Sequence, residues 1–228
     1  MPIIDVIIPA FNEENSVQQV IGDIPKDLIR EIIVVNNNSN DATSANAQSA
    51  GATVLEEKFQ GYGAACLKGI SYLSAKKIKP DIVVFIDADY SDFPEQMRAL
   101  IIPIIADNCD MVIGSRALGM RDKGSMTIPQ RFGTTLATVL LRILYKVQYT
   151  DLGPFRAIKY PSLIQLGMKD KTYGWTVEMQ LKAAKQKMKV TEVPVDYRKR
   201  IGFSKISGTV KGTVKAGYKI ITTIFRYL

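Results

Sequence analysis

Short β-branched apolar runs alternate along the first half of the chain with longer segments whose apolar positions recur every three or four residues. Ile3 to Ile8, Glu31 to Val35, Ala52 to Leu55, Asp81 to Ile86 and Asp110 to Ile113 are bounded by polar, Gly or Pro positions and predict strands. Glu13 to Ile24, Asp41 to Ala50, Tyr62 to Ala75 and Pro94 to Ala106 carry the helical pattern. This alternation specifies an α/β, Rossmann-like fold with a mostly parallel central sheet flanked by helices. The fourth helix has a start signal: Asp92 as N-cap, Pro94 in the first turn, and Glu95 three residues after the cap to complete a capping box. In the second half the alternation breaks. A long amphipathic helix is expected near Thr127 to Val147, a strand at Phe155 to Ile158, a helix at Trp175 to Gln186 and extended chain from Val190 to Tyr197.

Composition narrows the class. With 228 residues, 46% of them hydrophobic, the chain can bury a substantial core, and a single domain is expected. No charged segment followed by an apolar one opens the chain, so no signal peptide is expected. The apolar stretches are too short or too interrupted to span a bilayer: Pro103 breaks one, and Thr138, Arg142 and Lys146 break another. Cys66 and Cys109 lie in apolar segments and read as core thiols of a cytoplasmic protein. The absence of histidine removes Ser-His-Asp and Cys-His chemistry and nearly all zinc sites, so any metal must be held by oxygen. A net charge of +8 suits an anionic partner such as nucleic acid, an anionic membrane surface or a phosphorylated substrate. No basic motif interleaved with aromatics is present, and nucleic acid is not expected.

Asp87-Ala88-Asp89 follows the apolar run Ile82 to Ile86, which places two carboxylates at a strand end. Mg²⁺ or Mn²⁺ suits such a pair, because hard cations take oxygen ligands and keep positions open for phosphates. Taken alone, the pair also fits solvated loop aspartates. Pro9-Ala10-Phe11-Asn12-Glu13 ends the first strand and Asn36-Asn37-Asn38-Ser39-Asn40-Asp41 the second; singly these are ordinary turns and caps. All three lie where open α/β sheets bind ligands, at the carboxyl ends of the strands.

Together with Gly61, Gly63, Ala64, Lys68 and Gly69, then Gly114-Ser115-Arg116, Asp151-Leu152-Gly153-Pro154-Phe155-Arg156 and Arg200-Ile201-Gly202-Phe203-Ser204-Lys205, these segments resemble glycosyltransferase family 2, inverting enzymes on a GT-A fold. Within that family the chain looks most like the polyprenyl-phosphate sugar synthases of the dolichyl-phosphate mannose or glucose type.

The resemblance implies a division into a nucleotide-sugar-binding half (1–116), an acceptor-binding half (117–206) and a C-terminal amphipathic helix (207–228). It implies that Pro9, Ala10, Asn12, Glu13, Asn36, Asn38, Lys68, Asp87 and Ala88 bind the nucleotide-diphosphate sugar donor, with Asp87 and Asp89 on the metal. Arg116, Arg131 and Arg200, with Asp151, Ser204 and Lys205, are then expected toward a lipid-phosphate acceptor, and the arginines would equally suit the transferring diphosphate, because guanidinium forks bind phosphate. Arg116, Arg131, Arg156, Arg198 and Arg200 also fit solvated or ion-paired surface residues, with Arg116 and Arg200 set apart by the Gly-Ser and Gly-x-Ser-Lys signatures beside them.

Glu178 is the base expected if the acceptor is instead a hydroxyl. Relatives usually carry Asp-Asp or Asp-Asn then Gly-Ser where this chain has Asn36-Asn37-Asn38-Ser39, so the base-reading position is uncharged and Asn38 must accept left-handed geometry. A UDP-sugar such as UDP-glucose is preferred over GDP-mannose as donor. Lys211, Lys215 and Lys219 share one face of the last helix, which either docks on the domain or rests peripherally on the cytoplasmic face of a membrane. A nucleotide-sugar sensor without turnover is the remaining alternative class.

Overall fold

The structure, a computed structural model, describes residues 2–202 and 210–227. Seven strands form one sheet: β1 (Ile4–Ala10), β2 (Glu31–Asn36), β3 (Thr53–Glu56), β4 (Ile82–Phe85), β5 (Met111–Ser115), β6 (Arg156–Lys159) and β7 (Val190–Pro194). Their order is β3-β2-β1-β4-β6-β5-β7. β6 runs antiparallel to β4 and β5, and every other pairing is parallel. β1 and β4 are buried at every position, which is why they read as apolar runs; Asp5, the one charged residue in them, is buried and paired with Arg30.

The helices are α1 (Val17–Asp23), α2 (Thr43–Ser49), α3 (Tyr62–Ala75), α4 (Met97–Ala106), α5 (Ile128–Tyr145), α6 (Tyr160–Leu166), α7 (Trp175–Lys185) and α8 (Val210–Arg226). One sheet face, through Val6, Ile8 and Val34, packs on Val20, Ile21, Met97 and Leu100 of α1 and α4. The other face, through Ile7, Ile33 and Phe85, packs on Leu73 of α3, Leu163 of α6 and Trp175 of α7. Phe85 and Trp175 meet edge to face, their ring centroids 6.0 Å apart. Both cysteines are buried and free.

A third, smaller core joins α5, α7 and α8 through Leu141, Leu181 and Ile224. The Tyr145 hydroxyl donates to the Ile224 carbonyl at 2.7 Å, and Lys219 pairs with Asp170 at 2.8 Å. α8 therefore docks on the domain. No helix among the described residues is long and apolar enough to cross a membrane.

Several expected boundaries shift. α1 starts at Val17 because the Ser16 N–H is taken by the Glu13 carbonyl in a turn. The capping box expected at Asp92 is absent: Pro94–Gln96 form a 3₁₀ turn ahead of α4, Phe93 takes the cap position, and Asp92 is turned inward. A capping box is present on α5, where the Gln130 N–H donates to Thr127 Oγ1 and the Thr127 N–H to Gln130 Oε1. α6 is an additional helix, marked by Pro161 in its first turn and by Gly167 at φ 56° after its last.

The two halves of the chain are locked at the start of α3. The N–H groups of Gly63 and Ala64 donate to the carbonyls of Thr172 and Lys171, so helix-end donors are satisfied by a distant loop. A Cβ on Gly63 would lie 2.0 Å from the Asp170 carbonyl oxygen. Gly63→Ala is expected to cost about 1–3 kcal/mol, as overpacking does, measured as a lowered urea midpoint at unchanged slope.

Candidate active site

The strand order reverses between β1 and β4, and the crevice at that switch point is the place where open α/β sheets bind ligands. A cavity of about 610 Å³ opens there. Its sheet-side wall comes from Pro9, Ala10, Glu13, Asp87, Asp89 and Arg116 at the ends of β1, β4 and β5. Its outer wall comes from Met126, Pro129, Gly133 and Thr134 on and before α5, with Ala216 and Ile220 of α8.

The loop after β4 concentrates negative charge. Asp87 Oδ1 is buried without a partner, and burial together with the charge of Asp89 pushes the Asp87 carboxyl up to about 7. Asp89 is 4% exposed. One of its oxygens accepts from the Ser91 N–H at 3.0 Å and from the Ser91 hydroxyl; the other pairs with Arg200 at 2.7 Å. Burial and the charge of Asp87 hold the Asp92 carboxyl well above the usual range, and neither of its oxygens has a partner. Tyr90, between these acids, adopts φ 61°, strained for an aromatic residue. Its hydroxyl donates to Asp23 at 2.6 Å and its ring stacks under Arg198, whose guanidinium lies 3.4 Å from the ring centroid. That clamp fixes the turn which aims Asp89.

Arg116 reaches the cavity from the end of β5. Asp151 grips it three times, accepting from the Arg116 N–H, Nε and Nη2 at 2.9, 2.7 and 2.7 Å. Burial opposes both charges, yet the fork wins: Asp151 is held below the usual carboxylate range and Arg116 above its ordinary value. Tyr197 covers the guanidinium, 4.9 Å from its ring centroid. A Cβ on Gly153 would stand 2.7 Å from the Gly114 carbonyl oxygen, so the close approach of these two loops needs glycine. Arg200 arrives on the chain after β7, where the Ile201 N–H also donates to the Asp89 carbonyl at 2.9 Å.

The expected residues thus divide. Pro9, Ala10, Glu13, Asp87, Ala88, Asp89, Arg116 and Arg200 line one cavity. Asn12, at φ 53°, instead accepts from the Asn40 N–H through its side chain and ties the first loop to the second. Asn38 adopts the left-handed geometry expected of it, at φ 65°, and is exposed. Asn36 lines no part of the cavity: its amide donates to Glu56 and accepts from the Ser39 N–H. Its neighbour Asn37 takes the place on the wall, since side chains alternate at a strand end.

Lys68 is exposed on α3, away from the cavity, and its place in the donor site is corrected accordingly. Arg131 lies exposed by a second, smaller cavity, and Asp151 acts through Arg116 rather than at the wall. Arg156 is buried and donates to the carbonyls of Gly153 and Thr176. Ser204 and Lys205 lie outside the described residues.

Glu178 requires the largest correction. Its side chain is fully buried, lines no cavity, and accepts from the N–H groups of Lys169 and Asp170, from Lys182 and from the Tyr227 hydroxyl. Burial raises its pKa, but these donors more than offset that and hold the carboxyl below its ordinary value. It ties α7 to the preceding loop and to the end of α8. Sequence reasoning also missed Tyr62, Thr172, Thr176 and Tyr197 on the wall, which no motif marks.

Comparison with known proteins agrees with this geometry. Residues 5–167 match the family model for glycosyl transferase family 2. A glycosyltransferase of Mycobacterium tuberculosis is 32% identical over 220 residues, 93% of this chain and 94% of its own length. The dolichyl-phosphate hexose transferase of Haloferax volcanii is 30% identical over 208 residues, 88% of this chain and 85% of its own. Among solved structures, glucosyl-3-phosphoglycerate synthase from Mycobacterium tuberculosis, in complex with Mn²⁺, uridine diphosphate and glucosyl-3-phosphoglycerate, superposes with a TM-score of 0.76 at 20% identity, covering 99% of this chain and 80% of that one. The fold is GT-A and the protein is a glycosyltransferase. It belongs to glycosyl transferase family 2 and is similar to members that act on dolichyl phosphate.

Glu178→Gln is expected to lower unfolding free energy by about 1–3 kcal/mol, since an amide N–H would face backbone donors, while turnover changes little. Urea titration beside steady-state rates separates the two effects.

Proposed function

We propose that the protein transfers a hexose, with inversion, from a nucleoside-diphosphate sugar to the phosphate of a polyprenyl-type lipid. The observation that carries this reading is the convergence of Arg116 and Arg200 on the cavity wall that holds Asp87 and Asp89. The relative named for transfer to dolichyl phosphate supports the acceptor class, and the solved neighbour holding uridine diphosphate supports a UDP-sugar.

Asp87 and Asp89 fit a hard divalent cation. Asp87 offers a buried oxygen with no other partner, and the donors are all oxygen. Among the described residues no group of three or more His, Cys, Asp or Glu is placed to hold a metal, which suits an ion that shares its coordination with a diphosphate. When bound, Mg²⁺ or Mn²⁺ supplies positive charge to the leaving diphosphate; the neighbour's Mn²⁺ supports this choice of class.

Arg116, held rigid by Asp151, and Arg200 orient the acceptor phosphate. A phosphate oxygen attacks the anomeric carbon as the bond to the diphosphate oxygen breaks, and the electron pair leaves with the nucleotide. No proton has to be removed, because a phosphate monoester is already largely dianionic at neutral pH, its second pKa being about 6. The core position of Glu178, the base expected for a hydroxyl acceptor, supports the phosphate reading. A lipid acceptor used with a nucleotide-sugar donor would suit a protein working at the cytoplasmic face of a membrane.

Arg116→Ala and Arg200→Ala are expected to depress kcat/KM for a polyprenyl phosphate by about 10²-fold or more, as loss of a charge-assisted contact does. Glu178→Gln should leave it within a few-fold. A collapse confined to Glu178→Gln would sink the lipid-phosphate assignment.

Metal binding gives a second check. The Asp87 carboxyl, raised to about 7 by burial and Asp89, must lose its proton to bind a cation. Mn²⁺ affinity of the donor-free protein is therefore expected to be level above about pH 7 and to fall about tenfold per unit below it. Titration followed by electron paramagnetic resonance reads this directly, and a profile flat from pH 5.5 to 8 would exclude Asp87 as a ligand.

A further inference from the structure

Arg116 and Arg200 reach the cavity from different parts of the chain, the end of β5 and the segment after β7. Each is held by its own acid, Arg116 by Asp151 and Arg200 by Asp89. Two guanidinium groups on one wall repel each other and are rich in rotamers, so a phosphate binds between them at lower cost if both are ordered beforehand. Tyr197 touches both. It is 3% exposed and lines the cavity, and its ring covers the Arg116 guanidinium at 4.9 Å. Burial opposes the Arg200 charge, but Asp89, with lesser help from a hydrogen bond to the Tyr197 hydroxyl, holds it above its ordinary value. Burial pushes the Tyr197 hydroxyl up, so it stays neutral and meets a cation without adding an anion to the wall.

The backbone at Tyr197 is tied on two sides. Toward the loop after β5, its N–H donates to the Met120 carbonyl and its carbonyl accepts from the Asp122 N–H, both at 2.9 Å. Toward the loop after β4, it bridges Asp92, and the Arg198 N–H donates to the Ser91 carbonyl at 2.9 Å. The preceding residue repeats the pattern: Asp196 accepts from the Met120 N–H at 2.8 Å and from Gln96 Nε2 at 2.9 Å. A Cβ on Gly119 would lie 2.0 Å from the Val195 carbonyl oxygen, so the chain segments meet backbone to backbone. The ring is thus carried by three segments at once and is not free to follow either arginine.

We propose that Tyr197 is a positioning residue for the transfer: its ring seats Arg116 and its hydroxyl seats Arg200, so that the two forks close on one phosphate as a preformed pair. The choice of phosphate rests on the lipid-acceptor reading. Guanidinium forks would also suit the donor diphosphate, and the test separates the two sources.

Tyr197→Phe keeps the ring and removes the hydroxyl, whereas Tyr197→Leu removes both. Calorimetry on the intact protein reads affinity for two probes, a short water-soluble polyprenyl phosphate and uridine diphosphate with Mn²⁺. Tyr197→Phe is expected to weaken binding of the polyprenyl phosphate about three- to tenfold and Tyr197→Leu at least about tenfold, with uridine diphosphate held within about twofold. In turnover the loss should fall on the acceptor KM more than on kcat. Added to Arg200→Ala, Tyr197→Phe should change acceptor kcat/KM by less than about twofold, since its hydroxyl acts through that arginine. Added to Arg116→Ala, Tyr197→Leu should fall no further than Tyr197→Phe does, since the ring then has no cation to seat. Near-ultraviolet circular dichroism confirms folding, and the isosteric Tyr197→Phe keeps the test available if Tyr197→Leu does not fold.

Wild-type affinity for the polyprenyl phosphate in the folded variants overturns the proposal. So does a loss of equal size with and without Arg200, which a general loosening of the fold would give, and so does weakening confined to uridine diphosphate. A wild type whose binding of the polyprenyl phosphate depends on Tyr197, yet which transfers no sugar to it, fails the functional reading and leaves the positioning role standing.

Discussion

Three aspartates crowd the end of one buried strand, and the rest of the site is arranged around the cost of placing them there. Asp87, Asp89 and Asp92 cannot all be charged in a desolvated loop unless cations stand beside them. The Asp92 carboxyl is held well above the usual range by burial and the charge of Asp87, Asp87 titrates near 7, and Asp89 pairs with Arg200. Arg116 comes from the end of β5 and is itself restrained by Asp151, from the loop before β6. The antiparallel β6 is thus more than an irregularity of the sheet. It lies between β4 and β5 and brings the loop that carries Asp151 to the edge where the carboxylates stand.

The first half of the fold was legible because its strands, apart from the edge strand β3, are buried on both faces. Continuous Ile and Val runs admit few other readings, and the observed strands differ from the expected ones by at most two residues at either end. The antiparallel direction of β6 was not legible, since a four-residue strand reads the same in either direction. α6 left a signal that periodicity alone does not use, a proline at its start and a glycine after its end. At Asp92 a good local capping pattern lost to tertiary context: Pro94 opens a 3₁₀ turn, and the side chain is drawn into the acidic cluster instead.

The residues at the site were readable to the extent that strand geometry fixed their direction. Asp87, Asp89 and Arg116 stand at strand ends whose register the pattern sets, and all three reach the cavity. Lys68 and Glu178 sit on helices, where direction depends on how the helix is rotated against its neighbours, and sequence does not fix that rotation. Lys68 faces solvent and Glu178 faces the core. The exchange of Asn36 for Asn37 at the wall is the strand version of the same limit, a single step in register reversing the face.

The shape of the cavity adds an argument about the acceptor that no single residue supplies. Its sheet-side wall is polar, with carboxylates and guanidinium groups held by fixed partners, while the helix-side wall mixes Met126, Pro129, Ala216 and Ile220 with Gln130 and Thr134. An acceptor that is polar on every side would leave the apolar members of that second wall without matching contacts. A lipid phosphate has the matching asymmetry, an anionic end for the arginines and a hydrocarbon tail for the helices. α5, which supplies Pro129, Gln130, Gly133 and Thr134 to that wall, exposes apolar side chains on its outer face. A tail leaving the cavity along α5 would therefore remain against hydrocarbon-like surface until it reached a bilayer, and would not cross open water. For the proposed lipid-phosphate acceptor, desolvation of the tail would favour the same approach direction that presents the phosphate to Arg116 and Arg200.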